Sequence, residues 1–438
     1  MTGWLERRFG VRTAGSTVRR EVVGGATTFM TMAYILFVNG AILGSAGLPP
    51  AQVLTATALV AGAMTIAMGV ATRYPFAVAP GMGINAAVAG SLVAIQGLTA
   101  PEAMGVIVAE GLAITILVLI GVREAILDAI PRSLQRAIGA GIGLFLALIG
   151  LASGGLVVRS TGPGPLPVLQ LGDIASPRVL IFLVGLVIAL ALTVRRVRGA
   201  LLIAIAAATA LALAIGEAPP PAALVSTPDF GLLGAFSFGF VAKLGALGAA
   251  LAIFSLMLSD FFDTVGTVVG LGGEGGFLDE SGRLPRMRRV LVVDSLAALA
   301  GGLASTSSAT TYIESASGIA DGARTGLASV VTGALFLAAM FVAPLAGVIP
   351  AEATASALVV VGFLMSGMLA EVDWRDLPHA APAFLTAIVM PFTWSISNGI
   401  GVGVIAHVLL MTAAGRIREI HPLLWLVAAA FAAFFALA

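Results

Sequence analysis

Apolar runs long enough to cross a bilayer recur from residue 24 to the end of the chain, with no polar stretch of domain size between them. About 20 apolar residues cover the roughly 30 Å of hydrocarbon in a membrane. The runs therefore commit the whole chain to lipid and are expected to leave no room for an extra soluble module. Composition agrees: of 438 residues, 59% are apolar and 10% charged, against roughly 45–50% and about 25% in soluble domains. That excludes an ordinary cytosolic enzyme. A net charge of +1 argues against a nucleic-acid partner, which needs a dense basic patch. Cysteine is absent, so disulfides, thiolate metal sites and cysteine nucleophiles are excluded.

Apolar segments fall at about 24–43, 52–71, 76–95, 102–121, 135–152, 178–194, 199–216, 244–271, 289–303, 305–320, 326–347, 353–370, 381–395 and 397–414, with a last one at 422–438. Basic residues set their orientation. After an arm carrying Arg7, Arg8, Arg12, Arg19 and Arg20, they occupy alternate loops: Arg73; Arg123, Arg132 and Arg136; Arg195, Arg196 and Arg198; Arg283, Arg286, Arg288 and Arg289; Arg324; Arg375; Arg416 and Arg418. Arg159, Arg178 and Lys243 are the exceptions. The positive-inside rule then gives fourteen crossings with a cytoplasmic amino terminus. The arm lacks a signal-peptide cleavage site and reads as a retained cytoplasmic segment. Segment 422–438 is either a fifteenth crossing or a helix at the cytoplasmic interface.

Two segments break the helical pattern. Residues 74–86 place Pro75, Pro80, Gly81, Gly83 and Asn85 within apolar sequence, and residues 303–318 are rich in hydroxyls and contain Glu314. Both read as extended backbone feeding a half-helix, which survives at membrane depth only where protein buries it or it lines a cavity. They are the third and tenth segments, seven apart. Seven is odd, so a second half starting after the seventh segment is inserted upside down. Laying Pro80–Asn85 on Ala309–Glu314 aligns the breaks and sets Asn85 against Glu314. Matched breaks in inverted halves mark a transport site near the midplane.

The strongest polar constellation is Asp260 and Asp263 in the eighth segment. Three residues apart on a helix, they share a face, and each charged carboxylate at mid-membrane costs about 2.5–3.5 kcal/mol on insertion scales. Burial and mutual repulsion are the conditions that tune a carboxylate to carry protons near neutral pH. The structural alternative is that either caps a broken helix or bonds neighbouring hydroxyls. Glu314, at the start of its half-helix, either sits there for the helix's positive end or accepts N–H groups from a flat heterocycle, with the backbone of Thr306 to Thr311 lining the cavity. Asn85 offers a donor and an acceptor, or caps its half-helix. Asp294 in the ninth segment makes a structural hydrogen bond or takes part in coupling. Glu110, Asn39 and His407 read as helix-packing hydrogen bonds. Phe261, Phe262 and Tyr312 are candidate stacking surfaces or packing. The run from Gly272 to Gly276 lacks the context of a phosphate-binding loop and reads as a flexible connection.

Four stretches together carry a resemblance: Thr27-Thr-Phe-Met-Thr-Met-Ala-Tyr-Ile-Leu-Phe-Val-Asn39, Pro80-Gly-Met-Gly-Ile-Asn85, Asp260-Phe-Phe-Asp-Thr-Val-Gly-Thr267 and Tyr312-Ile-Glu-Ser-Ala-Ser-Gly-Ile319. In order and spacing, over nearly the whole chain, the sequence resembles the AzgA-like purine permeases of the nucleobase/ascorbate transporter superfamily. The resemblance implies an all-α, multi-pass protein of the bacterial cytoplasmic membrane with the UraA-like fold, two inverted seven-span repeats with core and gate domains. Here the arm is 1–23. The first repeat is 24–216 (core 24–122, gate 133–216), the second is 243–414 (core 243–347, gate 353–414), and 422–438 lies outside the plan. The implied activity is proton-coupled uptake of purine bases such as adenine, guanine and hypoxanthine, with no cofactor, sodium being the alternative co-transported ion. Its binding and coupling positions fall on Gly83, Asn85, Asp260, Asp263 and Glu314; the residues themselves add Thr311 and Tyr312 as candidates for binding, and Asp294 beside Asp260 and Asp263 for coupling. A homodimer is compatible with this plan. Two other readings compete. An anion carrier for sulfate or bicarbonate shares the fold, but an acidic midplane opposes it. An intramembrane aspartyl hydrolase would draw its two aspartates from different helices, whereas Asp260 and Asp263 share one.

Overall fold

A computed structural model describes residues 2–121, 129–160, 168–220, 223–280 and 283–437; Arg123, residue 122 at the end of the expected first core segment and residue 438 lie outside them. In chain order the helices are α1 Thr2–Phe9, α2 Val18–Met32, α3 Ile35–Ser45, α4 Pro50–Thr72, α5 Met82–Ala86 (continued as a π-helix over Ala87–Ile95), α6 Ala100–Leu119, α7 Arg132–Ser153, α8 Pro177–Val194, α9 Ala200–Ala214, α10 Phe240–Glu274, α11 Met287–Leu303, α12 Ser315–Ala320, α13 Gly326–Ala339, α14 Ala351–Ser366, α15 Leu377–Phe392, α16 Ile396–Ala413 and α17 Pro422–Leu437. Short strands are β1 Val78–Pro80, β2 Val157–Arg159, β3 Leu169–Leu171 and β4 Ala309–Thr311.

Each of the fourteen expected segments carries a helix. Among the described residues nine helices are long and apolar enough to cross a membrane, α2 and α3 together counting as one over Val18–Ser45. Of the shorter ones, α5 and α12 are the broken segments, and α11 carries Arg288 and Arg289 in its first turn. Local chemistry ends the helices where the sequence changes. Thr99 and Glu102 form a reciprocal capping box on α6, Ser176 caps α8, and Ser395 caps α16, each satisfying an N–H that the helix itself cannot. α4 stops at Arg73, whose left-handed φ of 63° lets its N–H reach the Gly69 carbonyl.

The boundaries of α2 and α10 differ from the sequence expectation. α2 begins at Val18, so the arm shortens and Arg19, Arg20 and Glu21 lie in the first helical turn. Phe9 and Val11 of the remaining arm pack on Leu327, which fixes it to protein. α10 runs to Glu274, so Gly272 and Gly273 are helical rather than a flexible connection. His407 makes no hydrogen bond through either ring nitrogen. It packs its ring against His379 at 5.4 Å, because its neighbours on α16 are apolar. Asn39 does donate to Thr57, at 2.7 Å.

The chain divides into two compact units, Met1–Ala77 with Leu146–Gly231 and Glu314–Phe363, and Val78–Phe145 with Leu232–Ile313 and Leu364–Ala438. In the first, α4 crosses α13 backbone to backbone. A Cβ on Gly69 would fall on the Gly326 carbonyl, and one on Gly62 would lie 2.9 Å from the Gly333 carbonyl. The glycines sit seven residues apart on both helices in opposite order, which makes the pair antiparallel and lets the axes approach closely. In the second unit α6 and α11 repeat the device: a Cβ on Gly111 would meet the Leu299 backbone at 2.5 Å, and one on Gly302 the Val108 nitrogen at 2.8 Å. These pairs join the second segment to the eleventh and the fourth to the ninth. Adding seven turns two into nine and four into eleven, as a repeat of seven segments requires. α17 packs on α16, where a Cβ on Gly401 would meet the Phe431 ring at 2.5 Å.

Gly69→Ala and Gly326→Ala are each expected to lower stability by about 1–3 kcal/mol through overpacking at a backbone contact, read as a lower unfolding midpoint of the detergent-purified protein; an unchanged midpoint in both contradicts the close crossing. A second expectation concerns pH. Arg416 binds Asp376 at 2.9 Å and Glu419 at 2.7 Å, and these hydrogen bonds hold both carboxyls below their ordinary range. A carboxyl lowered in the folded state adds stability above its unfolded value of about 4 and loses it as pH falls through the folded value. The difference in unfolding midpoint between the wild type and Arg416→Ala is thus expected to be full at neutral pH and to vanish in acid.

Candidate functional site

The two broken segments meet as strands. β1 pairs antiparallel with β4, Val78 opposite Thr311, Ala79 opposite Thr310 and Pro80 opposite Ala309. The alignment of repeats made on the breaks alone also sets Pro80 on Ala309. Pairing supplies partners for peptide groups that neither water nor a helix can reach in the bilayer. Pro80 lacks an N–H and so ends its strand, and the next donor, Gly81 N–H, goes to the Ser308 carbonyl at 2.8 Å. The Tyr312 hydroxyl donates to the Pro80 carbonyl. Ahead of β4, Ser305 and Ser307 have left-handed φ values of 53° and 74°, sparsely populated for residues with a Cβ, and both are buried.

Within the second unit, Asp294 of α11 is saturated. One carboxylate oxygen accepts the Thr311 N–H at 2.9 Å and the Thr311 hydroxyl at 2.8 Å; the other accepts the Thr264 hydroxyl at 2.6 Å. Thr264 also lies 2.8 Å from the Thr310 hydroxyl. A hydroxyl has one proton, and that of Thr264 is committed to Asp294, so Thr310 donates to Thr264. A chain of three hydroxyls and one carboxylate thereby pins β4 to α10 and α11. Asp260 precedes Thr264 by one helical turn and is fully buried, while Asp263 is only partly buried. The buried stripe of α10 is therefore Asp260, Thr264 and Thr267, and the two aspartates that share a helix face by spacing differ in environment.

Asn85 lies inside α5, whose cap is Gly81, so it is not the cap of its half-helix. Its side chain is fully buried, and among the described residues neither amide atom has a hydrogen-bond partner. Gly83 faces α7: a Cβ there would strike the Ile142 side chain. Its lack of a side chain admits that helix.

In the first unit, Glu314 precedes α12 and makes no side-chain cap. Its carboxylate accepts the Tyr34 hydroxyl at 2.6 Å. The next residue, Ser315, accepts the Ala77 N–H at 2.9 Å, and Ser329 donates to the carbonyls of Tyr74 and Phe76 at 3.0 and 2.8 Å. These serines hold the chain that leads into β1. Sequence reasoning missed Tyr34, Thr264, Ser315 and Ser329. A tyrosine at the joint between α2 and α3, and hydroxyls at spacings that match a buried carboxylate, were the signals available.

The constellation is one of buried carboxylates, an unengaged amide and paired broken segments, with no three His, Cys, Asp or Glu side chains grouped to hold a metal among the described residues. Residues 19–402 match the Permease family. The chain is 40% identical over 436 residues to the adenine permease AdeP of Escherichia coli, covering 98% of this chain and 95% of that one. It is 37% identical over 421 residues to the guanine/hypoxanthine permease PbuO of Bacillus subtilis, covering 95% and 96%. Among solved structures it resembles the transmembrane domain of the cyanobacterial bicarbonate transporter BicA, with a TM-score of 0.66 at 15% identity over 87% of this chain and 97% of that one. The fold is the UraA-like one, with broken third and tenth spans in two inverted repeats. The resemblance carried by the four stretches is borne out: this chain belongs to the Permease family and is a multi-pass membrane transporter, not an enzyme.

Proposed function

We propose that the protein is a proton-coupled purine-base symporter of the bacterial cytoplasmic membrane, with its amino terminus in the cytoplasm. Asn85 carries the reading. A fully buried amide with both polar atoms unengaged runs against the rule that buried polar groups are hydrogen-bonded, and a planar base presenting a donor beside an acceptor satisfies both atoms at once. The relatives named adenine permease and guanine/hypoxanthine permease support purine as the base.

Glu314 is the proposed second ligand, its carboxylate accepting N–H groups of the base. Asp260, fully buried in α10, is the proposed proton carrier, with Asp263 supporting it. Neutralising a carboxylate lowers the cost of moving the loaded site through a low-dielectric gap, so symport follows if only the loaded, protonated and the empty, deprotonated forms cross. Asp294, whose oxygens are already occupied by Thr264 and Thr311, anchors β4 in this scheme instead of carrying the proton. Thr311, bound to Asp294, and Tyr312, bound to Pro80, shape the ledge on which the base rests. Alternating access is rocking of the core (24–122 and 243–347) against the gate (133–216 and 353–414). An anion carrier on this fold would need a cation at its site, and neither 244–271 nor 305–320 contains an arginine or lysine.

In proteoliposomes with an imposed proton gradient, the wild type is expected to accumulate labelled adenine, guanine or hypoxanthine. Asp260→Asn is expected to abolish accumulation while leaving equilibrium exchange, and Glu314→Gln and Asn85→Ala to weaken binding by about tenfold or more. Wild-type accumulation by Asp260→Asn overturns the coupling assignment; accumulation driven only by a sodium gradient replaces the ion. On the purified protein a purine base is expected to raise the unfolding midpoint where sulfate and bicarbonate do not. A shift with the anions alone overturns the purine reading.

A further inference from the structure

Between Thr27 and Asn39, one face of α2 and the joint after it is laid along the tenth segment. Thr27 donates to Asp321 at 2.6 Å, Thr31 reaches the Glu314 main-chain carbonyl at 3.5 Å, and Tyr34 donates to the Glu314 carboxylate at 2.6 Å. Positions 27, 31 and 34 recur at four and three residues, one helical face. Their partners run the other way, from Asp321 back to Glu314, so α2 and α12 are antiparallel. Glycines at 24 and 318 allow the approach: a Cβ on Gly24 would lie 2.8 Å from the Gly318 carbonyl, and one on Gly318 would strike Thr28. The pair is tied again at its lower end, where the Glu21 carboxylate accepts the N–H groups of Arg324 and Thr325 at 3.0 and 3.2 Å.

This packing ends in a buried tyrosine. Tyr34 is fully buried and stands at the joint where α2 gives way to α3, with Leu36 and Phe37 N–H groups bonded back only three residues. Its ring has two torsions to fix, whereas a glutamate has three and loses more freedom on being ordered. Among the described residues Tyr34 is the side chain that donates to the Glu314 carboxylate. It engages one oxygen, and a carboxylate has further acceptor sites on the other. Glu314 is only partly buried.

We propose that Tyr34 is the positioning residue for Glu314: its phenol fixes one carboxylate oxygen so that the other is presented to the purine. It acts through Glu314 and does not itself touch the base. The proposal rests on Glu314 being a purine ligand, and the test separates the two. Kd for adenine, guanine and hypoxanthine is measured by calorimetry on the full-length purified protein for the wild type, Tyr34→Phe, Glu314→Gln and the double variant, alongside unfolding midpoints. Tyr34→Phe keeps the ring and removes the donor; it is expected to raise Kd about tenfold. The double variant is expected to bind like Glu314→Gln alone, since the two residues act as one unit. Kd describes the molecules that bind, so a smaller folded fraction lowers the signal without moving it. A merely structural hydrogen bond would lower the midpoint and leave Kd at the wild-type value, and that result overturns the proposal. An additive double variant also overturns it. A Glu314→Gln protein with wild-type Kd removes the underlying assignment of Glu314; a weakened Glu314→Gln beside an unaffected Tyr34→Phe removes the positioning role alone.

Discussion

Peptide groups without partners are not tolerated in hydrocarbon, and the structure is organised around the place where that rule is hardest to satisfy. Two segments abandon helical hydrogen bonding at membrane depth, and each becomes tenable through the other, because β1 and β4 exchange the hydrogen bonds that neither half-helix supplies. The pairing fixes more than the strands. It requires the two segments to arrive antiparallel, which inverted repeats provide, and it requires side chains that bond what the short ladder leaves over. Thr311 on Asp294, Tyr312 on Pro80 and Ala77 on Ser315 are those bonds.

Buried carboxylates divide by what already bonds them. Glu21 accepts the N–H groups of Arg324 and Thr325 ahead of α13, Asp294 accepts that of Thr311 in β4, and both are spent on architecture. Glu314, partly buried, accepts the Tyr34 phenol on one oxygen. Charge that is costly to insert is thus either consumed in holding the broken segments or held ready by a rigid donor. Paired glycines serve the same end: Gly62 and Gly69 against Gly333 and Gly326, and Gly24 against Gly318, bring helices close enough for short threonine and serine side chains to reach a neighbouring backbone.

Much of this was legible in the sequence. Segment number and placement followed from apolar run length, and the broken segments from Pro80, Gly81 and the hydroxyl-rich run before Glu314. Helix ends were less legible: α2 starts at Val18 because Thr17 caps Arg20, a local bond that hydropathy does not register. His407 was expected to hydrogen-bond across helices and instead packs on a second histidine.

The sequence by itself determined that this chain lives in a bilayer, how many segments it has, where two of them break and which acids are candidates, because each of those properties is local or periodic along the chain. Which acid is already satisfied was decided only by tertiary structure. Asp294 and Glu314 are both lone carboxylates within apolar segments, and what separates them is that Thr264, 30 residues away, closes on one, while Tyr34, 280 residues away, donates to the other. A hydrogen bond depends on distances of a few tenths of an ångström between such remote groups, and no periodicity in the sequence records that.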